Sequence, residues 1–180
     1  MANDILEAAG KYIGVTEVSG AMNNPKIVSM FRKATGTPED DSVPWCAAFV
    51  GAVLKDAGIK GTMKLNARSY LDWGEEVTKP EAGDVVIFWR GKKDGWQGHV
   101  AFFVRFDGDK IVVLGGNQGD AVSIKSYAGS RWLGYRRAKQ GVKVVNPPVR
   151  AAVGVTLASG AVIGLAGFFD QIKSFFAGLF

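Results

Sequence analysis

The chain has one cysteine and one histidine in 180 residues, and several chemistries fall with that scarcity. A single cysteine excludes an internal disulfide framework and any cysteine-rich zinc module. A single histidine excludes a multi-histidine metal centre, though not a catalytic pair. Charged residues make up 22% of the chain and hydrophobic ones 47%, a balance that excludes wholesale disorder. The length suffices for one domain with a buried core and leaves room for an appendage. The start Met1-Ala2-Asn3-Asp4-Ile5-Leu6-Glu7 has no basic run followed by an apolar one. The expectation is therefore synthesis in the host cytoplasm without a signal peptide. Excess positive charge is also missing from most of the chain. Residues 1–120 hold 14 Lys/Arg against 16 Asp/Glu, a net of −2, whereas residues 121–180 hold 8 against 1, a net of +7. Basicity belongs to the tail, and no nucleic-acid partner is expected.

What is present divides into helical and strand patterns. Ile5, Leu6, Ala9, Tyr12 and Ile13 lie on one stripe of a helix expected over Asn3 to Ile13. Asn24-Pro25 reads as a cap and first-turn proline, and Ile27, Met30, Phe31 and Ala34 recur at helical spacing until Gly36. Thr37 to Val43 is polar and turn-like. Pro44-Trp45-Cys46 opens a third helix ended by Gly58, and Asn66 caps a short fourth through Trp73. Strands rich in Val, Ile and Phe are expected at Asp84 to Trp89, His99 to Phe106 and Lys110 to Leu114. Val122 to Ser126 and Trp132 to Arg136 would add two more. Helices followed by an antiparallel sheet make an α+β domain. Asn146-Pro147-Pro148 interrupts any regular element, which gives a domain over 1–140, a basic linker over 141–149 and a hydrophobic tail over 150–180.

Cys46 falls in the first turn of its helix. Unpaired N–H groups and the macrodipole there favour a thiolate, although a small buried hydrophobe would sit there equally well. His99 opens a strand after Gly98, where an imidazole can reach across a cleft; a capping or surface histidine is the plainer reading. Asn117 follows the next strand in Gly115-Gly116-Asn117-Gln118-Gly119-Asp120. A hairpin would bring it beside His99, where its amide oxygen would hold one tautomer; alone it is a turn residue. Together the three give the helix-cysteine, sheet-histidine layout of papain-type hydrolases.

Asp41-Ser42-Val43-Pro44-Trp45-Cys46-Ala47-Ala48-Phe49-Val50 is followed by Ala67-Arg68-Ser69-Tyr70-Leu71-Asp72-Trp73-Gly74 and Pro80-Glu81-Ala82-Gly83-Asp84-Val85-Val86. With Gly98-His99-Val100 and Gly115-Gly116-Asn117-Gln118, this set resembles a CHAP-type peptidoglycan hydrolase. That papain-like, NlpC-related group is found in phage endolysins. The resemblance spans roughly residues 5–137. It implies a papain-like fold with amino-terminal helices on an antiparallel sheet, Cys46 as nucleophile, His99 as base and Asn117 as orienting residue. Many members carry a glutamate in that third position. The backbone N–H of Cys46 would donate to an oxyanion. Trp45, Trp96 and Gln118 are candidate substrate contacts, although Trp45 and Trp73 also fit core packing by their helical phase. No cofactor or metal is expected, and Glu39-Asp40-Asp41 reads as a solvated acidic turn.

Ala151 to Phe169 is 19 residues without a charge, the span of a bilayer core at helical rise. Gly160-x-x-x-Gly164 adds small-residue spacing, and Phe168, Phe169, Ile172, Phe175, Phe176, Leu179 and Phe180 suit an interfacial helix. A buried core helix is the alternative. The expected function is endolysin-like cleavage of wall-peptide amides leading to lysis, with endopeptidase preferred over N-acetylmuramoyl-L-alanine amidase. The expected partners are bacterial peptidoglycan and, through residues 150–180, the inner membrane. An antibacterial effector of the same fold and a membrane-tethered, non-catalytic binding module are the other readings.

Overall fold

The computed structural model describes residues 2–19 and 22–139. The chain divides into two units at Asn146–Pro147, and all described residues belong to the first. The hydrophobic helix expected over 150–180, and the linker before it, lie outside the described residues. Among the described residues no helix is long and apolar enough to cross a membrane.

Three helices come first: α1 (Ala2–Gly10), α2 (Pro25–Thr35) and α3 (Cys46–Asp56). Asn24 caps α2 through its side chain, which accepts from the Lys26 N–H at 2.9 Å. Gly36 closes α2 in the left-handed region with φ of 91°. The short fourth helix expected after Asn66 is a 3-10 turn, Ala67–Asp72. α3 is apolar on every side and buried from Cys46 to Leu54, which makes it the central helix. Burying a side chain such as Phe49 there contributes about 2–3 kcal/mol.

Six strands follow: β1 (Glu75–Val77), β2 (Val85–Trp89), β3 (Gly98–Asp107), β4 (Lys110–Gly115), β5 (Ser123–Ala128) and β6 (Trp132–Arg137). They form one sheet in the order β1-β6-β2-β3-β4-β5, and every pairing is antiparallel. The α+β expectation holds, with β1 as an added edge strand. One side of the sheet packs Val85, Ile87, Val100, Phe102 and Leu114 against the helices. The other carries a second apolar cluster around Val86, Phe88, Phe103, Val113 and Tyr135.

Two features fix what later becomes the site. The register Phe88↔His99 and Trp89↔Gly98 places the end of β2 beside the start of β3, while Phe102↔Leu114 returns the end of β4 to the same region. The segment after α1 then fastens the loop beyond β4. Thr16 bridges Ala121, Glu17 N–H donates to Asp120 O at 2.8 Å, and Val122 N–H donates to Val15 O at 2.8 Å. The acidic run expected to be solvated is corrected at Asp41. Its buried carboxylate accepts the N–H groups of Asn24 at 2.8 Å and Val18 at 3.2 Å, so it staples this segment rather than facing water.

Candidate active site

Cys46 is the first residue of α3, and no side chain caps that end of the helix. The first N–H groups of α3 are therefore not spent on a cap. Cys46 and His99 line one cavity of about 240 Å³, together with Pro44, Arg90, Trp96 and Asn117. The Val100 backbone N–H reaches the thiol, which brings sulfur next to the strand residue that follows the imidazole. A larger cavity of about 380 Å³, lined by Phe106, Ile111, Trp132 and Tyr135 among others, contains neither the thiol nor the imidazole. The chemistry belongs to the smaller one.

The ring is held on two sides. Tyr127 stacks on His99 with centroids 5.1 Å apart, and on Phe88 at 4.9 Å. His99 Nε2 lies 3.2 Å from Gln118 Oε1. The Gln118 amide is itself oriented, because its Nε2 donates to the carbonyl of Ser123. A carbonyl only accepts, so the amide nitrogen faces Ser123 and the amide oxygen faces the ring. His99 Nε2 must then carry the proton and donate it to Oε1. That leaves Nδ1 of the neutral ring as the free base, an assignment that follows from the hydrogen-bond network.

The ring's hydrogen-bond partner is thus Gln118, the neighbour of the residue expected in that place. Asn117 sits in the cavity wall with φ of 54°. That left-handed turn redirects the chain, so the next side chain points back to the imidazole. Two glycines make the approach possible. A Cβ at Gly116 would come within 3 Å of Phe49 and Trp45, and one at Gly115 within 3 Å of Ala101. Two expected substrate contacts are corrected. Trp45 is fully buried and its Nε1 donates to Glu17 Oε1 at 2.7 Å, so it anchors the start of α3 and offers no face to a ligand. Gln118 is buried, with both ends of its amide occupied. Trp96, 76% exposed at the cavity, remains available.

The electrostatics oppose charge in the resting pair. Burial pushes the Cys46 thiol up, outweighing the Val100, Ala47 and Cys46 N–H groups and Arg90, which all pull it down. The helix-start argument therefore holds in direction but loses to desolvation. Burial also lowers His99 to about 4; the Gln118 bond opposes the shift, while Arg90, Arg131 and Lys125 add to it. At neutral pH the site holds a thiol beside a neutral imidazole.

Two arginines were not singled out in the sequence. Arg68 donates from Nε to Gln97 O at 2.9 Å and from Nη2 to Lys93 O at 2.9 Å, bracing the loop that carries Trp96. Arg90, at the base of that loop, enters the cavity itself. Among the described residues no group of His, Cys, Asp and Glu is arranged to hold a metal ion.

Residues 38–117 match the CHAP domain family model, a stretch that takes in Cys46, His99 and Asn117. The resemblance read from the motifs is borne out over that segment. An NlpC/P60 family protein from Bacillus cereus is 18% identical with a TM-score of 0.50, over 76% of this chain and 40% of that one; it shows the same fold. A protein similar to lipoprotein of the NLP/P60 family, from Staphylococcus aureus subsp. aureus Mu50, is 20% identical with a TM-score of 0.48, over 77% of this chain and 41% of its own. The NlpC/p60 domain of the peptidoglycan hydrolase SagA is 20% identical with a TM-score of 0.43, over 76% and 98%. The chain thus spans about two fifths of the first two structures. No curated protein matches it.

Proposed function

We propose, for a chain whose residues 38–117 match the CHAP domain, a cysteine hydrolase that cleaves peptide amides of bacterial peptidoglycan. The observation that carries the reading is the thiol at an uncapped helix start, sharing a cavity with an imidazole whose Nδ1 is left free. A substrate amide enters the cavity, and the Cys46 Sγ–H proton passes to His99 Nδ1 as sulfur attacks the carbonyl carbon. The Cys46 N–H donates to the developing oxyanion. When the tetrahedral adduct collapses, the C–N bond breaks and the amine leaves with the proton from Nδ1. Water then gives a proton to Nδ1 and attacks the thioester, releasing the acid and restoring the thiol. Gln118 takes the orienting role, and Trp96 offers a flat face to the substrate.

Within this class we favour endopeptidase cleavage of the wall peptide in an endolysin-like role. We read residues 150–180, on composition alone, as the part that meets the membrane. Cys46→Ala is expected to lower digestion of purified wall by more than about 1000-fold, close to 4 kcal/mol of barrier. Activity within a few-fold of the parent would overturn covalent catalysis. Mass spectrometry of the digest reads the bond: a new free amine on diaminopimelate marks the endopeptidase, and a free lactyl carboxylate on muramate marks the amidase. Fractionation with and without residues 150–180 reads the tail, and equal solubility of the two would remove the membrane role.

A further inference from the structure

Arg90 stands apart from the other arginines around the sheet. Arg68 is tied to backbone carbonyls, Arg131 to Trp89 O at 3.0 Å, Arg136 to Glu76 at 2.8 Å and Arg137 to Asp84 at 2.8 Å. Among the described residues Arg90 bonds through its backbone, its N–H donating to Gln97 O at 3.3 Å. Its guanidinium has no hydrogen bond or ion pair with a described residue. Among the described residues lining the cavity it is the one that carries a full charge, and its field reaches the Cys46 thiol, the His99 ring and Tyr127. Arg131 and Lys125 face the ring as well. Arg131, however, is bound to the Trp89 carbonyl and lies over the Trp89 and Tyr127 rings, and Lys125 is an exposed residue of β5 outside the cavity lining.

A forked, permanently charged donor left open beside a nucleophile is matched by a carboxylate, which accepts two parallel N–H bonds from it. We propose that Arg90 is the substrate-carboxylate receptor of this site, so that the enzyme selects peptides bearing a free carboxylate near the scissile amide over the same peptides amidated there. The proposal rests on the hydrolase reading for its substrate, but the receptor is a property of the cavity and can be measured without turnover. It also assigns a second use to the loop between β2 and β3: Trp96 supplies a flat apolar face and Arg90 a charge, both braced by Arg68.

The decisive experiment alkylates Cys46 with iodoacetate and with neutral iodoacetamide, and compares the ratio of the two rates across variants of the full chain. A change in thiol reactivity alone moves both rates and leaves their ratio unchanged. Arg90→Ala is expected to lower the iodoacetate/iodoacetamide ratio at least fivefold. Arg90→Lys should retain part of it, and Arg90→Glu should lower it further, while Lys110→Ala, at the far end of β4, leaves it as in the parent. Raising salt should shrink the parent's ratio toward that of Arg90→Ala. A ratio unchanged in Arg90→Ala and Arg90→Glu would overturn the proposal, whatever happens to the separate rates. On wall peptides, the KM penalty for amidating the carboxylate should be about tenfold in the parent and vanish in Arg90→Ala. A penalty equal in both overturns the receptor role even if the alkylation ratio responds. Should the parent digest no wall at all, the hydrolase reading fails, and the alkylation ratio still decides the receptor.

Discussion

Strand β2 runs between two charges that the molecule treats in opposite ways. Before its first residue stands Asp84, buried to 5% exposure. Arg137 grips it with Nε on Oδ1 at 2.9 Å and Nη2 on Oδ2 at 2.8 Å, while Glu81 adds a contact at 3.1 Å. After its last residue stands Arg90, with no carboxylate among the described residues that line its cavity. At the first end a cation and an anion from β6 and the β2 approach neutralise each other and close the sheet. At the second the charge stays open, next to a histidine that burial keeps neutral. Five residues of strand separate a charge used for holding from a charge left for capture.

That contrast can be broken most forcefully with acid. His99 has a folded pKa near 4, below the ordinary value of 6.5. The unfolded chain therefore takes up this proton first as pH falls. The His99 contribution is complete above about pH 6.5, declines through the window down to pH 4, and amounts to about 3 kcal/mol. Urea midpoints measured from pH 7 to pH 4 should show a slope that disappears in His99→Gln and persists in Arg137→Ala. Equal slopes in the two variants would mean that the acid sensitivity does not originate at the site.

The structural end comes next. Arg137→Ala leaves a buried carboxylate with the Glu81 N–H, at 2.7 Å, as its one remaining partner among the described residues. The expected loss is about 2–3 kcal/mol, reduced from the fully buried case because the arginine is one third exposed. Equilibrium unfolding measures this, and kcat/KM at a temperature where the variant stays folded should match the parent. Arg90→Ala should do the reverse, with stability kept and substrate selection lost. Between these two in size stands the expected effect of Gln118→Ala. It frees the ring without removing the base, lowering kcat about thirtyfold, or about 2 kcal/mol, with KM little changed. Gln118→Asn is too short to span Ser123 and the ring together and should not restore the rate, whereas a purely packing role would let it do so.

Local signals carried much of this into the sequence. Apolar runs marked β2, β3 and β4, the Asn24-Pro25 and Gly36 pair marked α2, and the helix-start thiol and strand-start imidazole marked the cavity. β1 was not legible, because a three-residue edge strand of Glu75, Glu76 and Val77 carries no alternation, and its charges suit an exposed edge. Gln118 was expected among the substrate contacts, and the orienting role falls on it one position after Asn117. Hairpin proximity identifies the right turn, but the positive φ at Asn117 decides which side chain faces inward, and spacing does not encode that. Trp45 has the composition of a ligand platform, yet its partner Glu17 lies 28 positions away. Arg90 is conspicuous only once the described residues around it are in place and none of them pairs with its guanidinium.

The proton on the imidazole is assigned, two bonds back, by the Ser123 carbonyl. That oxygen belongs to the main chain, so no exchange of one side chain for another can reverse its polarity. Natural drift or deliberate redesign can sever the relay at Gln118, but cannot turn it around without moving the start of β5. The choice of basic nitrogen is thereby written into strand pairing, and it persists as long as the sheet edge does.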